Sequence, residues 1–148
     1  MIVYIMVGIP GSGKSTWTKQ HKDAFICSAD DYHKKGGVYT WSANNVVASH
    51  NWCKLKFHLA LNGGTQKIIV DNTNVDNRRD WYVELAKSYG YQVVLVYMPD
   101  CTPQEAFDRN EHNVPMNTIQ RMYGLMTGHM SQWVRENWTD MSCLEEIV

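Results

Sequence analysis

The sequence is short of the features that mark several large protein classes. Its 148 residues hold four cysteines (Cys27, Cys53, Cys101 and Cys143), scattered without a close-spaced pair, so neither a zinc site nor a disulfide framework is indicated. Thiols of this kind suit a reducing compartment, and a cytoplasmic location is expected. Net charge is only −1, which removes the broad positive field behind non-specific nucleic-acid binding; any such contact must be local. The longest apolar runs, such as Val93 to Met98, are strand-sized and far too short to cross a bilayer, so no membrane partner is expected. No basic leader precedes the first apolar run, and no signal peptide is expected. Repeats, low-complexity tracts and linkers are also missing, and the length suits one domain over residues 1–148 with one core.

What is present is an alternation of short β-branched runs with longer helical patterns, the signature of parallel βαβ units. Strands are expected at Ile2–Val7, Phe25–Cys27, Lys67–Asp71 and Gln92–Met98, and a first helix from near Gly13 to about His21. After the glycine pair Gly36 and Gly37, Ser42 reads as an N-cap, with Trp41 and Val46 as a hydrophobic staple. That second helix is expected to place Trp52, Leu55 and Leu59 on one face and to stop at Gly63. Asp76 or Asn77 can cap a helix carrying Trp81, Leu85 and Tyr89, closed by Gly90. Thr102-Pro103-Gln104-Glu105 is a capping box with proline at the first helical position. Pro115 introduces a last helix with Ile119, Met122, Met126, Met130 and Trp133 on one stripe, read as core packing. Nothing beyond Trp138 reads as an element.

Between the first strand and first helix lies Gly8-Ile9-Pro10-Gly11-Ser12-Gly13-Lys14-Ser15, which fits the P-loop pattern G-x-x-x-x-G-K-[ST]. Glycines at Gly8, Gly11 and Gly13 let backbone N–H groups turn inward and close on phosphate oxygens, with Ser12 and Thr16 in the same stretch. Lys14 offers a mobile charge for the β and γ phosphates, and the Ser15 hydroxyl can ligate Mg2+. No guanine-reading N-K-x-D segment accompanies the loop, and large motor ATPases need more chain. A small nucleotide-dependent kinase remains.

Asp30 and Asp31 follow the second strand, at the carboxyl edge of the sheet where the loop also opens and where ligands of open α/β sheets bind. One carboxylate there can orient an acceptor hydroxyl and take its proton; the bland alternative is a turn and helix cap. Asp71 ends an apolar strand and suits a second magnesium-associated acid, against an Asx-turn. Asn72-Thr73-Asn74 adds short polar groups at that edge. Lys34, Lys35, Arg78 and Arg79 are the local basic pairs that could touch an acceptor phosphate, and Tyr39 or Trp41 could stack on a base; solvated charges and a staple tryptophan are the alternative.

Taken together, Gly8 to Trp17, Asp30-Asp31-Tyr32, Asp71-Asn72-Thr73-Asn74, Arg78-Arg79 and the segment Arg109 to Pro115 resemble the 5′-kinase domain of phage polynucleotide kinases and the wider polynucleotide-kinase-like branch of P-loop kinases. The likeness runs from residue 1 to about Trp133. It implies an α/β P-loop sandwich with a parallel four- to five-stranded sheet, helices on both faces and a helical lid. It also implies ATP, Mg2+ and an acceptor hydroxyl on nucleic acid or a nucleotide. By the resemblance, Asp30 acts on the acceptor hydroxyl, Asp71 is the strand-end acid and Arg109 the first lid arginine. His33, Asn74 and Arg78 join Asp30 and Asp71 as candidate acceptor contacts. The family carries an arginine where this chain has His33, which reads equally as a surface histidine. No second lid arginine lies between Asn110 and Val114, leaving Arg121 as a substitute. The altered acceptor side leaves two other readings open: a kinase for a nucleoside, small metabolite or modified-base hydroxyl, and a non-catalytic ATP-binding module.

Overall fold

A computed structural model describes residues 1–35, 38–39, 41–109, 112–139 and 143–148. The glycine pair Gly36 and Gly37, and Asn110 and Glu111 of the expected lid, lie outside the described residues.

Strand β1 (Ile2–Val7) is apolar on both sides because helices cover both faces of the sheet it centres. The P-loop follows, then α1 (Lys14–Lys19), β2 (Phe25–Cys27) and a 3-10 turn at Ala29–His33. A small antiparallel pair, β3 (Lys34–Lys35) and β4 (Val38–Tyr39), leads to α2 (Val46–Asn62) and β5 (Lys67–Val70). Then come α3 (Asp80–Ser88), β6 (Gln92–Tyr97), α4 (Pro103–Asp108), α5 (Met116–Gly128), α6 (Gln132–Asn137) and β7 (Leu144–Ile147). The five-stranded sheet has the order β2-β5-β1-β6-β7; all neighbours are parallel except β6 and β7.

Alternation along β1 divides the core. Val3, Ile5 and Val7 pack with Phe57 of α2, Tyr82 of α3 and Met126 of α5. Met6 packs on the other face with Trp17 of α1 and Ile69 of β5. The connection leaving β1 therefore runs over one face and that leaving β5 over the other. Adjacent strands that part in this way open a crevice at their carboxyl ends, and the P-loop and Asp71 stand on its two sides.

Four expectations are corrected. The face of α2 carrying Trp52, Leu55 and Leu59 is not the buried one: Leu55 and Leu59 are 57% and 62% exposed, and the helix buries Ser49, Cys53, Phe57, Ala60 and Leu61. Small residues at three of those positions let α2 lie close on the sheet, whereas counting large apolar side chains favours the opposite side. Trp41 is 57% exposed and staples nothing to Val46; Ser42 precedes a 3-10 turn at Ala43–Asn45 without a side-chain cap bond. The single last helix is two, because Ser131 Oγ accepts from Val134 N and starts α6 afresh, which leaves Trp133 on the surface. The tail forms β7, whose alternation of half-buried and exposed positions is too short to stand out in sequence. By contrast, the N-cap half of the expected box is present: Thr102 Oγ1 accepts from Glu105 N at 3.2 Å, and the Thr102 hydroxyl donates to Glu105 Oε1 at 3.0 Å.

The two faces of α2 predict opposite mutational costs. Phe57→Ala should lower the free energy of unfolding in urea by about 3–5 kcal/mol, whereas Leu55→Ala or Leu59→Ala should cost less than about 0.5 kcal/mol. Comparable losses would put the wrong face in the core.

Candidate active site

The loop from Gly8 to Ser15 is bound into both neighbouring strands. Gly8 N donates to Thr73 O at 3.0 Å, across the crevice from β1 to the chain leaving β5. Asn74, in the left-handed region at φ 48, donates its amide to Met6 O at 2.8 Å and Asn72 O at 3.3 Å. The Asn74 amide, expected at the acceptor, thus staples the loop base instead.

Two glycines are required by this geometry for different reasons. Gly11 has φ 83, and a Cβ there would lie 2.4 Å from the carbonyl oxygen of Ala106, so α4 rests directly on the loop. Gly13 has φ 99 with open space where its Cβ would be. Beside it, the Ser12 hydroxyl is buried with no hydrogen-bond partner among the described residues. An orphaned hydroxyl beside an open glycine cradle fits an anion that would supply the missing acceptor.

Lys14 bridges loop and acids. Its ammonium donates to Gly8 O at 3.0 Å and Ile9 O at 2.9 Å. Burial lowers its pKa to about 8, against the opposing pull of Asp71, then Asp30 and Cys101. Asp71 shifts the other way: burial raises it, Lys14 opposes, and Asp30 adds to the rise. Both members of the couple are thus pushed toward neutrality, because burial outweighs their attraction. Thr18, one turn along α1 from Lys14, donates to Lys14 O at 2.9 Å and lies 3.4 Å from Asp71 Oδ2. Sequence reasoning missed Thr18; its only signal was the four-residue spacing from the P-loop lysine.

Asn72 fixes the Asp30 turn. Its Oδ1 accepts from Ala29 N at 2.9 Å, while its amide lies 3.5 Å from Cys53 Sγ on α2. Asp71 N donates to Cys27 O at 2.8 Å, which carries the β2–β5 ladder to the strand ends. The turn bearing Asp30 and Asp31 is therefore tied to the segment bearing Asp71, and both carboxylates act on Lys14. Ser15 and Thr16 are exposed at the start of α1.

The remaining candidates divide. His33 is only 4% exposed, so the surface-histidine reading is wrong. Arg78 lies in the open, gripped by Asp76 through contacts of 2.7 to 3.1 Å. Arg79 is buried and donates to Asn74 O, Tyr97 OH and His129 O, so it is a structural tie and not a phosphate contact. Arg109 closes α4, exposed, with Nη2 3.4 Å from Glu105 Oε2. Lys34 pairs with Asp31 at 3.2 Å. The side chains of Lys35 and Tyr39 lie outside the described residues.

A family model described as "AAA domain" matches residues 3–129. The chain belongs to this family of P-loop kinase-like domains. Among curated proteins this AAA-domain chain is 31% identical over 134 residues to NEDD4-binding protein 2 of Homo sapiens, covering 82% of this chain and 7% of that protein. It is 28% identical over 133 residues to 2′,3′-cyclic-nucleotide 3′-phosphodiesterase of Rattus norvegicus, covering 81% of this chain and 30% of the other. It thus spans a small part of either relative. Among solved structures, the Pnkp1/Rnl/Hen1 RNA repair complex contains a chain that matches with TM-score 0.67 at 18% identity, over 96% of this chain and 47% of that one. A gluconokinase from Sinorhizobium meliloti matches with TM-score 0.56 at 14% identity, over 84% and 74% respectively. At these identities the structural likenesses establish the P-loop kinase fold. Among the described residues, no helix is long and apolar enough to cross a membrane.

The two loop glycines should respond differently to substitution. Gly13→Ala should cost about 1–2 kcal/mol in thermal unfolding, the left-handed penalty alone. Gly11→Ala should cost more, since a backbone carbonyl of α4 must also move. Equal costs would mean that α4 does not rest on the loop.

Proposed function

We propose that the chain is an ATP-dependent kinase that transfers the γ-phosphate to a hydroxyl, the 5′-hydroxyl of DNA, RNA or a nucleotide. The observation that carries this reading is the placement of one loop lysine, Lys14, in the joint field of Asp71 and Asp30 at neighbouring strand ends. A P-loop that only bound nucleotide would not need the second carboxylate.

In this reading the N–H groups of Gly8 to Ser15 cradle the triphosphate, with Gly11, Ser12, Gly13 and Thr16 in its wall. Lys14 leaves the Gly8 and Ile9 carbonyls for the β and γ phosphates, and Arg109 leaves Glu105 to neutralise the transferring phosphoryl group. Asp30 orients the acceptor hydroxyl and takes its proton as the acceptor oxygen bonds to the γ-phosphorus. The bond from that phosphorus to the β–γ bridging oxygen breaks, and ADP carries away the electron pair. Ser15 and Asp71 would hold Mg2+, which supplies charge neutralisation on the phosphates. Among the described residues no three His, Cys, Asp or Glu side chains cluster, so most of its ligands would be phosphate oxygens and water.

The relatives' names support the nucleic-acid side of this reading: one structural match belongs to an RNA repair complex, and one relative is named for a cyclic nucleotide. A second reading, a small-metabolite kinase, draws on the burial of His33, the engagement of Arg78 by Asp76 and the gluconokinase likeness.

Radiolabelled ATP offered with 5′-hydroxyl oligonucleotides, 3′-nucleotides, nucleosides and sugars tests both. Label should pass to oligonucleotides or nucleotides. Asp30→Ala should cut transfer by about a hundredfold or more while ATP still binds, and Lys14→Met should weaken both. Labelling of sugars or nucleosides alone would favour the second reading. Tight ATP binding without transfer to any acceptor would leave a binding module.

A further inference from the structure

The outer face of α2 holds the apolar stripe that the fold did not use. Ala48, Trp52, Leu55 and Leu59 follow one another at spacings of four, three and four residues, which places them in one seam along the helix. Leu55 and Leu59 are 57% and 62% exposed, Ala48 is exposed, and Trp52 is half-buried at the flank. Phe25 at the adjacent sheet edge is 40% exposed and extends the apolar surface. Surface leucines scattered singly need no explanation, but two on one seam beside a tryptophan and a phenylalanine form a patch.

Charge indicates what covers it. The 17 residues of α2 contain no aspartate or glutamate. Along the seam the ionisable neighbours are Lys56, whose ammonium sits 4.5 Å from the Trp52 ring centroid, and His58, which meets Tyr89 OH at 2.9 Å. Asn51 and Asn62 complete the borders. A second copy of α2 would bring cation against cation across such a seam, which disfavours self-pairing. The Lys56 ammonium already covers a face of both Trp52 and Phe25, at 4.5 and 5.3 Å from their ring centroids, and the leucines offer no face for stacking bases, so nucleic acid is a poor match. The seam is also narrower than the broad apolar face of a helix lying in a membrane surface.

We propose that the outer face of α2 is a docking surface for an amphipathic helix of another protein or chain, one that presents an apolar seam flanked by Asp or Glu. Leucine-sized side chains of the partner pack between Leu55, Leu59 and Trp52, and its carboxylates meet Lys56. The Trp52 end of the surface adjoins Tyr32 of the turn that carries Asp30, at 6.0 Å between ring centroids, while Leu55 and Leu59 lie further along α2.

The test uses the full chain and two designed helical peptides with identical leucine seams, one flanked by glutamates and one by lysines. Fluorescence anisotropy should show the glutamate peptide binding at least about tenfold more tightly. Backbone amide shifts should map to residues 48 to 59. Leu55→Glu with Leu59→Glu, both exposed and so compatible with folding, should weaken binding by about thirtyfold or more with unchanged thermal unfolding. Lys56→Glu should reverse the preference between peptides. Equal affinity for both peptides, binding of neither, or shifts elsewhere would overturn the proposal. So would a concentration-dependent dimer that the double substitution dissolves, or capture on phosphatidylserine vesicles or single-stranded DNA that it abolishes.

Discussion

The parallel pairing of β1 with β5 is the constraint on which the rest of this structure depends. Its register, Ile2 against Lys67 through Ile5 against Val70, brings the end of one strand beside the end of the other. The chain leaving β1 becomes the P-loop, and the chain leaving β5 becomes Asp71 to Asn74. Because their crossovers depart over opposite faces, nothing fills the space between the two strand ends except what the loops put there. Gly8 N to Thr73 O and Asn74 to Met6 O then lock the two loops together. Asn72 reaches outward to hold the turn that carries Asp30. The loops and the turn that bear the charged groups of the crevice are therefore placed by backbone pairing and by the Asn72 and Asn74 amides.

That placement sets up an electrostatic tension. Lys14 and Asp71 are buried enough that each is pushed toward its neutral form, and their mutual attraction recovers only part of the cost. With its folded-state pKa lowered, Lys14 has released its proton at pH values where the unfolded chain keeps one. The free protein should therefore gain stability from this group as pH rises from about 8 toward the ordinary lysine range. A bound polyphosphate would restore the charged lysine by surrounding it with anions. Free and liganded states thus differ in protonation as well as in contacts, and part of the affinity for an anion is stored in the burial of Lys14.

Much of this was legible in the residues. The loop from Gly8 to Ser15 is local in sequence, so its glycines and lysine announce themselves, and the strand ends at Cys27 and Val70 follow from β-branched runs closed by polar residues. What sequence could not supply was depth. His33 and Trp41 both read as surface or staple residues by type, yet one is buried and the other is not. Arg78 and Arg79 look equivalent, but the tertiary contacts of Tyr97 and His129 draw only the second into the core. On α2 the large side chains misled, because a helix lying close on a sheet selects small residues such as Ser49, Cys53 and Ala60 for contact. Strand β7 was invisible because a four-residue alternation carries too little pattern by itself.

Lys14, half-buried beside Asp71, is the group that a bound triphosphate would recharge. Isothermal titration of the protein with ATP and Mg2+ at pH 8.5, in buffers of different ionisation enthalpy, measures this directly. With its free-state pKa lowered to about 8, binding should take up a substantial fraction of a proton, and affinity should fall as pH rises further. Lys14→Met should abolish the uptake. Binding with no proton exchange, and with an affinity unchanged between pH 7 and pH 9.5, would contradict the account.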